Sequence, residues 1–194
     1  KYLSTGEKTY SDEVKYQLGY LYIDTKQPQK AIEIFKKYLD SDDNEHSTEI
    51  QIRLGYLYTD TKQPQKAIDI FKKYLDGDDY ESIPEIQVRL GYLYIDTKQP
   101  QKAIDIFKKY LDEGNKDYVA KIQISLGYLY IENKQIDNAI QIFKKYLAGN
   151  NKEHSLEIKL RLAYLYVEKK QIFLAIDLLE QVIQNPIYKK NEDI

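Results

Sequence analysis

The sequence predicts an all-α solenoid built from five stacked helix–turn–helix repeats. The first observation is the run LGYLY, which recurs every 36 residues at 18–22, 54–58, 90–94 and 126–130, with LAYLY at 162–166. The second is that each period holds two segments with apolar residues at helical spacing. The third is a small residue at one fixed position in each segment. A single hairpin of this size cannot bury its apolar face, so stacked neighbours must cover it.

The repeats are expected to organise the chain as a single solenoid domain, 1–194. Their predicted boundaries are 11–46, 47–82, 83–118, 119–154 and 155–190. Lys1-Tyr2-Leu3 stands 36 residues before Lys37-Tyr38-Leu39. We therefore interpret residues 1–10 as the end of a truncated preceding repeat, either disordered or a short helical stub. A right-handed array of ten full helices is predicted to follow it.

Within the first repeat, the helices are predicted at about 12–25 and 28–40. Serines stand where an N-cap is expected, and one of them has a glutamate three residues later, as in a capping box. These positions are Ser11, Ser47, Ser155 and the pair Ser82/Glu85. Prolines fall in the first turn of the second helix, where a missing N–H does no harm, at Pro28, Pro64 and Pro100.

Glycine recurs inside the first helix, at Gly19, Gly55, Gly91 and Gly127, with Ala163 in the last repeat. Glycine within a helix costs about 1 kcal/mol against alanine. Because this cost is repeated, we expect two helix backbones to approach closely at that position. The second helix carries its own small residue at Ala31, Ala67, Ala103, Ala139 and Ala175.

Composition limits the possible functions. The chain of 194 residues is 42% apolar and 31% charged, with a formal net charge of -2. This balance gives no strong field toward nucleic acid or anionic lipid. There is no cysteine, which excludes disulfides and thiolate metal sites but does not identify a compartment. No apolar run approaches the roughly 20 residues that a membrane-spanning helix needs.

These residues resemble the tetratricopeptide repeat, a helix–turn–helix unit of about 34 residues. Its Leu-Gly…Tyr…Ala…Phe framework is met by Leu18, Gly19, Tyr22, Ala31 and Phe35, and again in repeats two to four. The fifth repeat departs from the framework, with alanine and leucine in place of glycine and phenylalanine. The resemblance implies that the first helices line an inner, concave surface that binds protein segments.

The two tyrosines of each LGYLY run are predicted to have different roles. At 100° per residue, Tyr22 points with Leu18 toward the partner helix, whereas Tyr20 points roughly the opposite way. The second tyrosines are therefore predicted to pack in the core, at Tyr22, Tyr58, Tyr94, Tyr130 and Tyr166. By resemblance, the first tyrosines form a row on the groove floor that we call the tyrosine ladder: Tyr20, Tyr56, Tyr92, Tyr128 and Tyr164.

Charged residues flank the tyrosine ladder. Arginines stand on one flank at Arg53, Arg89 and Arg161, and acids follow one turn later at Asp24, Asp60 and Asp96, with glutamate in the last two repeats. Two interpretations remain open for them, pairing between or within repeats, or contact with a ligand. For the tyrosines, the alternative to ligand contact is packing between adjacent first helices. An RNA-reading groove is disfavoured because every copy carries an acid.

No constellation for catalysis or metal binding is visible. His46 and His154 share one register position but have no second ligand nearby, and an exposed loop is the simpler interpretation. The acidic turn at 40–45 lacks the glycine and the bidentate glutamate of a calcium loop. No phosphate-binding loop or nucleophile–histidine–acid set is present. We therefore expect no cofactor, no metal and no enzymatic activity.

The predicted function is that of a protein-interaction scaffold that holds a partner segment in the groove. The alternative is a structural spacer that self-associates through its terminal repeat. The last helix reads QIFLAIDLLEQVIQ and is apolar on more sides than earlier second helices. Terminal repeats need a polar outer face for solubility. Phe173 and Leu174 are accordingly predicted to lie on an assembly face, covered by another helix or a second copy.

Overall fold

The computed structural model describes residues 2–40, 45–77, 84–149 and 153–184, with side chains from residue 11 onward. These residues form ten α-helices and no strand. In chain order they are α1 (Tyr2–Asp24), α2 (Pro28–Leu39), α3 (Ser47–Asp60), α4 (Pro64–Leu75), α5 (Pro84–Asp96), α6 (Pro100–Asp112), α7 (Val119–Glu132), α8 (Ile136–Ala148), α9 (Ser155–Glu168) and α10 (Ile172–Ile183). The predicted all-α class of helix–turn–helix repeats is confirmed.

The starts of the first helices differ from the sequence-based expectation. α1 begins at Tyr2, so residues 2–10 continue it as helix and Ser11 lies in its interior. Ser47 and Ser155 are already the first helical residues of α3 and α9, and the N-cap positions belong to His46 and His154. The serine caps were wrong by one residue, because the His46 carbonyl already accepts the first helical bond, from the Ile50 N–H. Ser82 lies outside the described residues.

The second helices begin as predicted. Pro28 and Pro64 occupy the first turns of α2 and α4, and α6 begins at Pro100. Each of these prolines replaces an N–H that would have no helical partner, and its fixed φ suits the first turn. The boundaries of the second helices could therefore be read directly from the sequence.

The chain divides into two compact units, Lys1–Ala103 and Ile104–Ile194. In the first unit, α1 packs on α2 and α3 on α4, and the second helix of each hairpin contacts the first helix of the next, α2 on α3 and α4 on α5. In the second unit, α7 packs on α8 and α9 on α10, with α8 on α9. Each unit thus repeats the same two kinds of helix contact.

The core repeats with the sequence. Three positions of the second helix are buried in every one of the first four repeats: the alanine, the phenylalanine four residues later and the tyrosine three residues after that. In α2 these are Ala31, Phe35 and Tyr38. Because they recur at i, i+4 and i+7, they form one stripe along the helix, as the apolar pattern predicted.

The glycine of the first helix contacts a phenylalanine ring rather than a helix backbone. A Cβ placed on Gly19 would stand 2.0 Å from a ring carbon of Phe35. Equivalent distances are 2.4 Å from Gly55 to Phe71 and 2.0 Å from Gly127 to Phe143. A close approach at this position was predicted correctly, but its partner is a core side chain.

The turn inside each hairpin holds a lysine in the left-handed region. Lys26 has a φ of 56°, and the same register position has a φ between 56° and 59° at Lys62, Lys98, Lys134 and Lys170. The Lys26 N–H donates to Ile23, and the Gln27 N–H donates to the Tyr22 carbonyl. This pair of bonds is a Schellman motif, which usually has glycine at the left-handed position.

Among the described residues, no helix combines the length and apolar content that crossing a bilayer requires.

Candidate functional site

The second tyrosine of each LGYLY run packs in the core. Tyr58, Tyr94, Tyr130 and Tyr166 are buried, which confirms their predicted role, whereas Tyr22 in the first repeat is half-buried. A lysine from the second helix covers the ring in three repeats. The Lys66 Nζ lies 5.3 Å from the centroid of Tyr58 and donates to the Gln63 Oε1 at 2.8 Å. The ammonium groups of these lysines therefore shield a tyrosine ring while the side chains stay largely exposed.

Four tyrosines of the ladder are half-buried, and Tyr164 is exposed. The ring of Tyr20 packs edge-on against Phe35, with 5.5 Å between the centroids. Tyr56 meets Phe71 at 5.5 Å and Tyr128 meets Phe143 at 5.7 Å in the same way. Each of these three rings therefore packs against the phenylalanine that also fills the space beside the helix glycine. The side of each ring that faces the phenylalanine is therefore part of the hydrophobic core.

The next repeat supplies the other contacts of the ladder in the first unit. The Tyr20 hydroxyl donates to Glu49 of α3, and the Arg53 guanidinium lies 5.3 Å from the centroid of the Tyr20 ring. Arg89 of α5 covers Tyr56 at 4.4 Å. Cation–π contacts at such distances contribute about 0.5–1 kcal/mol at exposed sites. The arginines thus pair between repeats, as one of the two open interpretations predicted.

The same rung recurs in the second unit. The Tyr128 hydroxyl donates to the Glu157 Oε1 at 2.5 Å, and Arg161 lies 5.6 Å from the centroid of the Tyr128 ring. The two partners stand 29 and 33 residues after the tyrosine, as Glu49 and Arg53 do after Tyr20. A rung is therefore one tyrosine together with a glutamate and an arginine from the first helix of the following repeat.

The surroundings of Tyr20, Tyr56 and Tyr128 raise the pKa of their phenols. Burial raises the pKa of the Tyr20 hydroxyl well above its usual range, and the hydrogen bond to Glu49 raises it further. Burial is also the first cause that raises the pKa of Tyr56 and Tyr128. Removing a proton beside a carboxylate would place two negative charges together, so each hydroxyl acts as a donor at neutral pH.

The remaining predicted site residues lie at the exposed end of each first helix. Asp24, Asp60 and Asp96 are exposed, and each is the last residue of its helix. A negative charge at a helix C-terminus is unfavourable by about 0.3–1 kcal/mol, and glutamate repeats it in α7 and α9. Tyr92, the remaining half-buried tyrosine of the ladder, lies one turn before Asp96 on α5.

Sequence reasoning missed the glutamates of the rungs. Glu49, Glu85 and Glu157 stand four residues before an arginine on the same helix, and Arg89 Nη2 pairs with Glu85 at 3.1 Å. The recurrence of this pair at the repeat period was the available signal.

His46 was also assigned to an exposed loop, but it is half-buried and lies 4.5 Å from the ring of Tyr16.

The last helix has the exposed apolar surface that the sequence predicted. Phe173 is 89% exposed and Leu174 is 49% exposed. Their register positions hold exposed polar residues in the other repeats, such as Gln29 and Lys30 in α2. We call Phe173 and Leu174 the outer patch. Its predicted role in assembly stays a prediction.

The described residues contain no group of three or more histidine, aspartate or glutamate side chains placed to hold a metal ion. The acidic turn at 40–45 lies mostly outside them, because residues 41–44 are not described.

Helical hairpins that repeat along the chain and pack on their neighbours define an α-solenoid. Models of the tetratricopeptide repeat match residues 12–45, 48–76, 84–113 and 120–148, and a second such model matches 157–186. These matches cover most of the chain, which therefore belongs to the tetratricopeptide repeat family. Repeats of this family are typical of protein–protein interaction scaffolds, and the proteins that carry them are generally non-catalytic.

Solved structures share the fold at low sequence identity. The chain is similar to the MamA protein, with a TM-score of 0.70, 22% identity and coverage of 95% of this chain and 96% of that one. It is also similar to YrrB, described as a TPR protein with an unusual peptide-binding site, at a TM-score of 0.68, 14% identity and coverage of 100% and 98%. A tetratricopeptide repeat protein from Parabacteroides merdae matches at a TM-score of 0.69 and 20% identity, with coverage of 90% and 66%. Comparison with curated proteins gives no match.

Proposed function

We propose that this chain is a non-catalytic scaffold that binds an extended segment of a partner protein along the face formed by the tyrosine ladder. The observation that carries the proposal is the repeated rung. In the rungs of Tyr20 and Tyr128, the tyrosine is half-buried, its hydroxyl donates to a glutamate and its ring is contacted by an arginine. A side chain held on several sides offers a rigid aromatic surface, which binds a ligand at low entropic cost.

The charges beside the rungs favour a particular kind of segment. The acid that ends each first helix is exposed, and its place at a helix C-terminus is unfavourable for stability. Repeating an unfavourable charge on one face is consistent with a ligand that compensates it. We therefore expect the segment to carry lysine or arginine for these acids, between apolar or proline residues that rest on the tyrosine rings.

A peptide selection tests this proposal. The immobilised chain is used to select from random peptides, and the affinity of the selected peptides is measured by fluorescence anisotropy. We expect peptides with basic and apolar residues, bound at least tenfold more weakly by the triple variant Asp24→Asn, Asp60→Asn, Asp96→Asn. The matched control is Glu33→Gln, Asp69→Asn, Asp105→Asn, which removes three exposed acids from the second helices.

Two outcomes would contradict the proposal. One is that no peptide is selected above background. The other is that the two triple variants weaken binding equally, because the affinity would then depend on the net charge of the chain rather than on the acids beside the ladder.

A second candidate function is self-assembly, with the repeats as spacers. It is favoured by the apolar surface of α10, where several large side chains are exposed in a terminal repeat. Such surfaces in soluble proteins mark interaction sites.

A further inference from the structure

The first and the last described helices expose side chains whose equivalents are buried in other repeats. At the C-terminal end, Ile176 of α10 is 46% exposed, whereas its equivalent in α2, Ile32, is 3% exposed. Leu179 is also exposed, while the phenylalanine at that position is fully buried in the four other repeats. α2 is followed by α3, which packs on it, and no described helix follows α10. We call this surface of α10 the trailing face.

At the N-terminal end, the opposite surface is uncovered. Leu21 of α1 is 57% exposed, whereas Leu57 at the same position of α3 is 5% exposed. Val14 is exposed too, although its equivalent Ile50 is fully buried. The difference is that α2 packs on α3, while no second helix from an earlier repeat packs on α1 among the described residues. We call this surface of α1 the leading face.

The leading face also carries the missing half of a rung. Tyr164 is the last tyrosine of the ladder, and it is 68% exposed, unlike the half-buried Tyr20 and Tyr128. Its partners should be a glutamate and a second polar residue on the first helix of a following repeat. At those two register positions α1 holds Glu13 and Gln17, both exposed, with the Gln17 Nε2 donating to the Glu13 Oε1 at 2.9 Å.

We propose that copies of this chain stack head to tail, with the trailing face of one copy on the leading face of the next. In this arrangement Tyr164 donates its hydroxyl to Glu13 of the second copy, as Tyr20 does to Glu49 and Tyr128 to Glu157. The contact continues the interface that α2 makes with α3 and that α8 makes with α9. Because the two faces differ, the interface is heterologous and each copy keeps one free end.

The proposal rests on the self-assembly candidate function, but it assigns a different surface from the outer patch. Residues at the positions of Phe173 and Leu174 stay exposed in repeats that are followed by another repeat. Gln29 and Lys30 are exposed before α3, and so are the equivalents in α8 before α9. A stacked repeat therefore covers Ile176 and Leu179 but leaves most of the outer patch in solvent.

Two blocked variants of the full chain test the arrangement. Leu21→Glu places a charge on the leading face and Ile176→Glu places one on the trailing face. Both side chains are exposed in the isolated chain, so both variants are expected to fold, which circular dichroism melts verify. Sedimentation velocity over a concentration series should show growing oligomers for the unmodified chain and monomers for each variant alone. An equimolar mixture should give a species of twice the monomer mass and nothing larger.

The capped dimer then tests the rung itself. In the mixture, the copy with Leu21→Glu supplies the trailing face, and the copy with Ile176→Glu supplies Glu13. Tyr164→Phe in the first copy should weaken the dimer at least tenfold, which is about 1.4 kcal/mol, because it removes a hydrogen bond to a charged group. Tyr164→Phe in the second copy is the matched control, and it should leave the dissociation constant unchanged.

The possible failures are distinguishable. If the unmodified chain stays monomeric at every concentration, both the stacking and the self-assembly function are wrong. A second outcome is that the unmodified chain and both blocked variants associate, and that Phe173→Ser together with Leu174→Ser abolishes the association. Self-assembly would then occur through the outer patch, and head-to-tail stacking would be wrong. Equal weakening by Tyr164→Phe in either copy would overturn the rung.

Discussion

The contact between the helix glycine and the core phenylalanine can be tested by Gly127→Ala. The new Cβ would stand 2.0 Å from a ring carbon of Phe143, so the ring or the helix must move. Overpacking of this kind costs about 1–3 kcal/mol, and so short a distance favours the upper end of that range. The higher helix propensity of alanine offsets about 1 kcal/mol of this destabilisation. We expect a net loss of about 2 kcal/mol in the free energy of unfolding.

The fifth repeat shows how the loss can be relieved. There the glycine is Ala163 and the phenylalanine is Leu179, so the larger helix residue faces a smaller partner. Gly127→Ala with Phe143→Leu reproduces that pair. The single change Phe143→Leu should destabilise by about 1 kcal/mol, because it removes buried carbon and the contact with the Tyr128 ring. The double variant should recover most of the loss caused by the alanine.

Urea unfolding of the four proteins, followed by circular dichroism, gives the coupling free energy of this cycle. We expect the double variant to be at least 1 kcal/mol more stable than the sum of the two single effects predicts. Additive effects would show that the ring does not limit the size of the helix residue, and the steric reasoning would then be refuted. Gly114→Ala is a useful contrast, since a Cβ there meets nothing within 4 Å and any loss would come from its φ of 75°.

Three further predictions concern the turns, the phenols and the two tyrosine positions. Lys98→Gly should raise the free energy of unfolding by about 1 kcal/mol, because the φ of 57° is strained for lysine. The control Lys108→Gly, inside α6, should lower it by about 1 kcal/mol. Thermal melts of both variants check the two signs. Stability should fall as pH rises above about 10, since the raised pKa of Tyr20 keeps the folded phenol protonated while the unfolded one ionises, and Tyr20→Phe should flatten that decline in melts between pH 8 and 11. Tyr94→Ala should cost about 3–5 kcal/mol in urea unfolding and Tyr92→Ala about half of that, because only Tyr94 is fully buried; equal losses would place both rings in the core.

The repeat period made much of the fold predictable. Every helix is marked by a stripe that recurs five times, so local ambiguity in one copy is removed by the others. The proline starts of α2, α4 and α6 followed from backbone chemistry alone. The start of α1 could not be obtained in this way, since residues 1–10 have no complete copy to compare with. Capping at Ser47 was misplaced because serine suits both the cap and the first turn, and only backbone dihedrals decide between them.

The candidate site was predictable as a set of positions but not as a set of contacts. Angles around one helix separated the buried Tyr58 from the half-buried Tyr56, although Tyr20 and Tyr22 in the first repeat are both half-buried. They could not show that Arg53 lies over the Tyr20 ring, because that contact depends on how the next hairpin is placed. Glu49 was missed for the same reason, although its recurrence was visible. Contacts between repeats need a known stacking offset, which helical periodicity within one repeat does not contain.

Each rung joins a tyrosine to partners 29 and 33 residues further along the chain, and this spacing has a consequence for how such a gene can change length. A duplication or deletion of 36 codons keeps each tyrosine 29 and 33 residues before the same two register positions, which hold glutamate and arginine after Tyr20, Tyr56 and Tyr128 but Lys121 and Ser125 after Tyr92. A change whose length is not a multiple of 36 codons would move one tyrosine out of register with its partners. The nearly identical hairpins of repeats two and three are what recent recombination in that unit would leave behind. Selection on the rungs would then keep the period at 36 residues while the loops between repeats diverge.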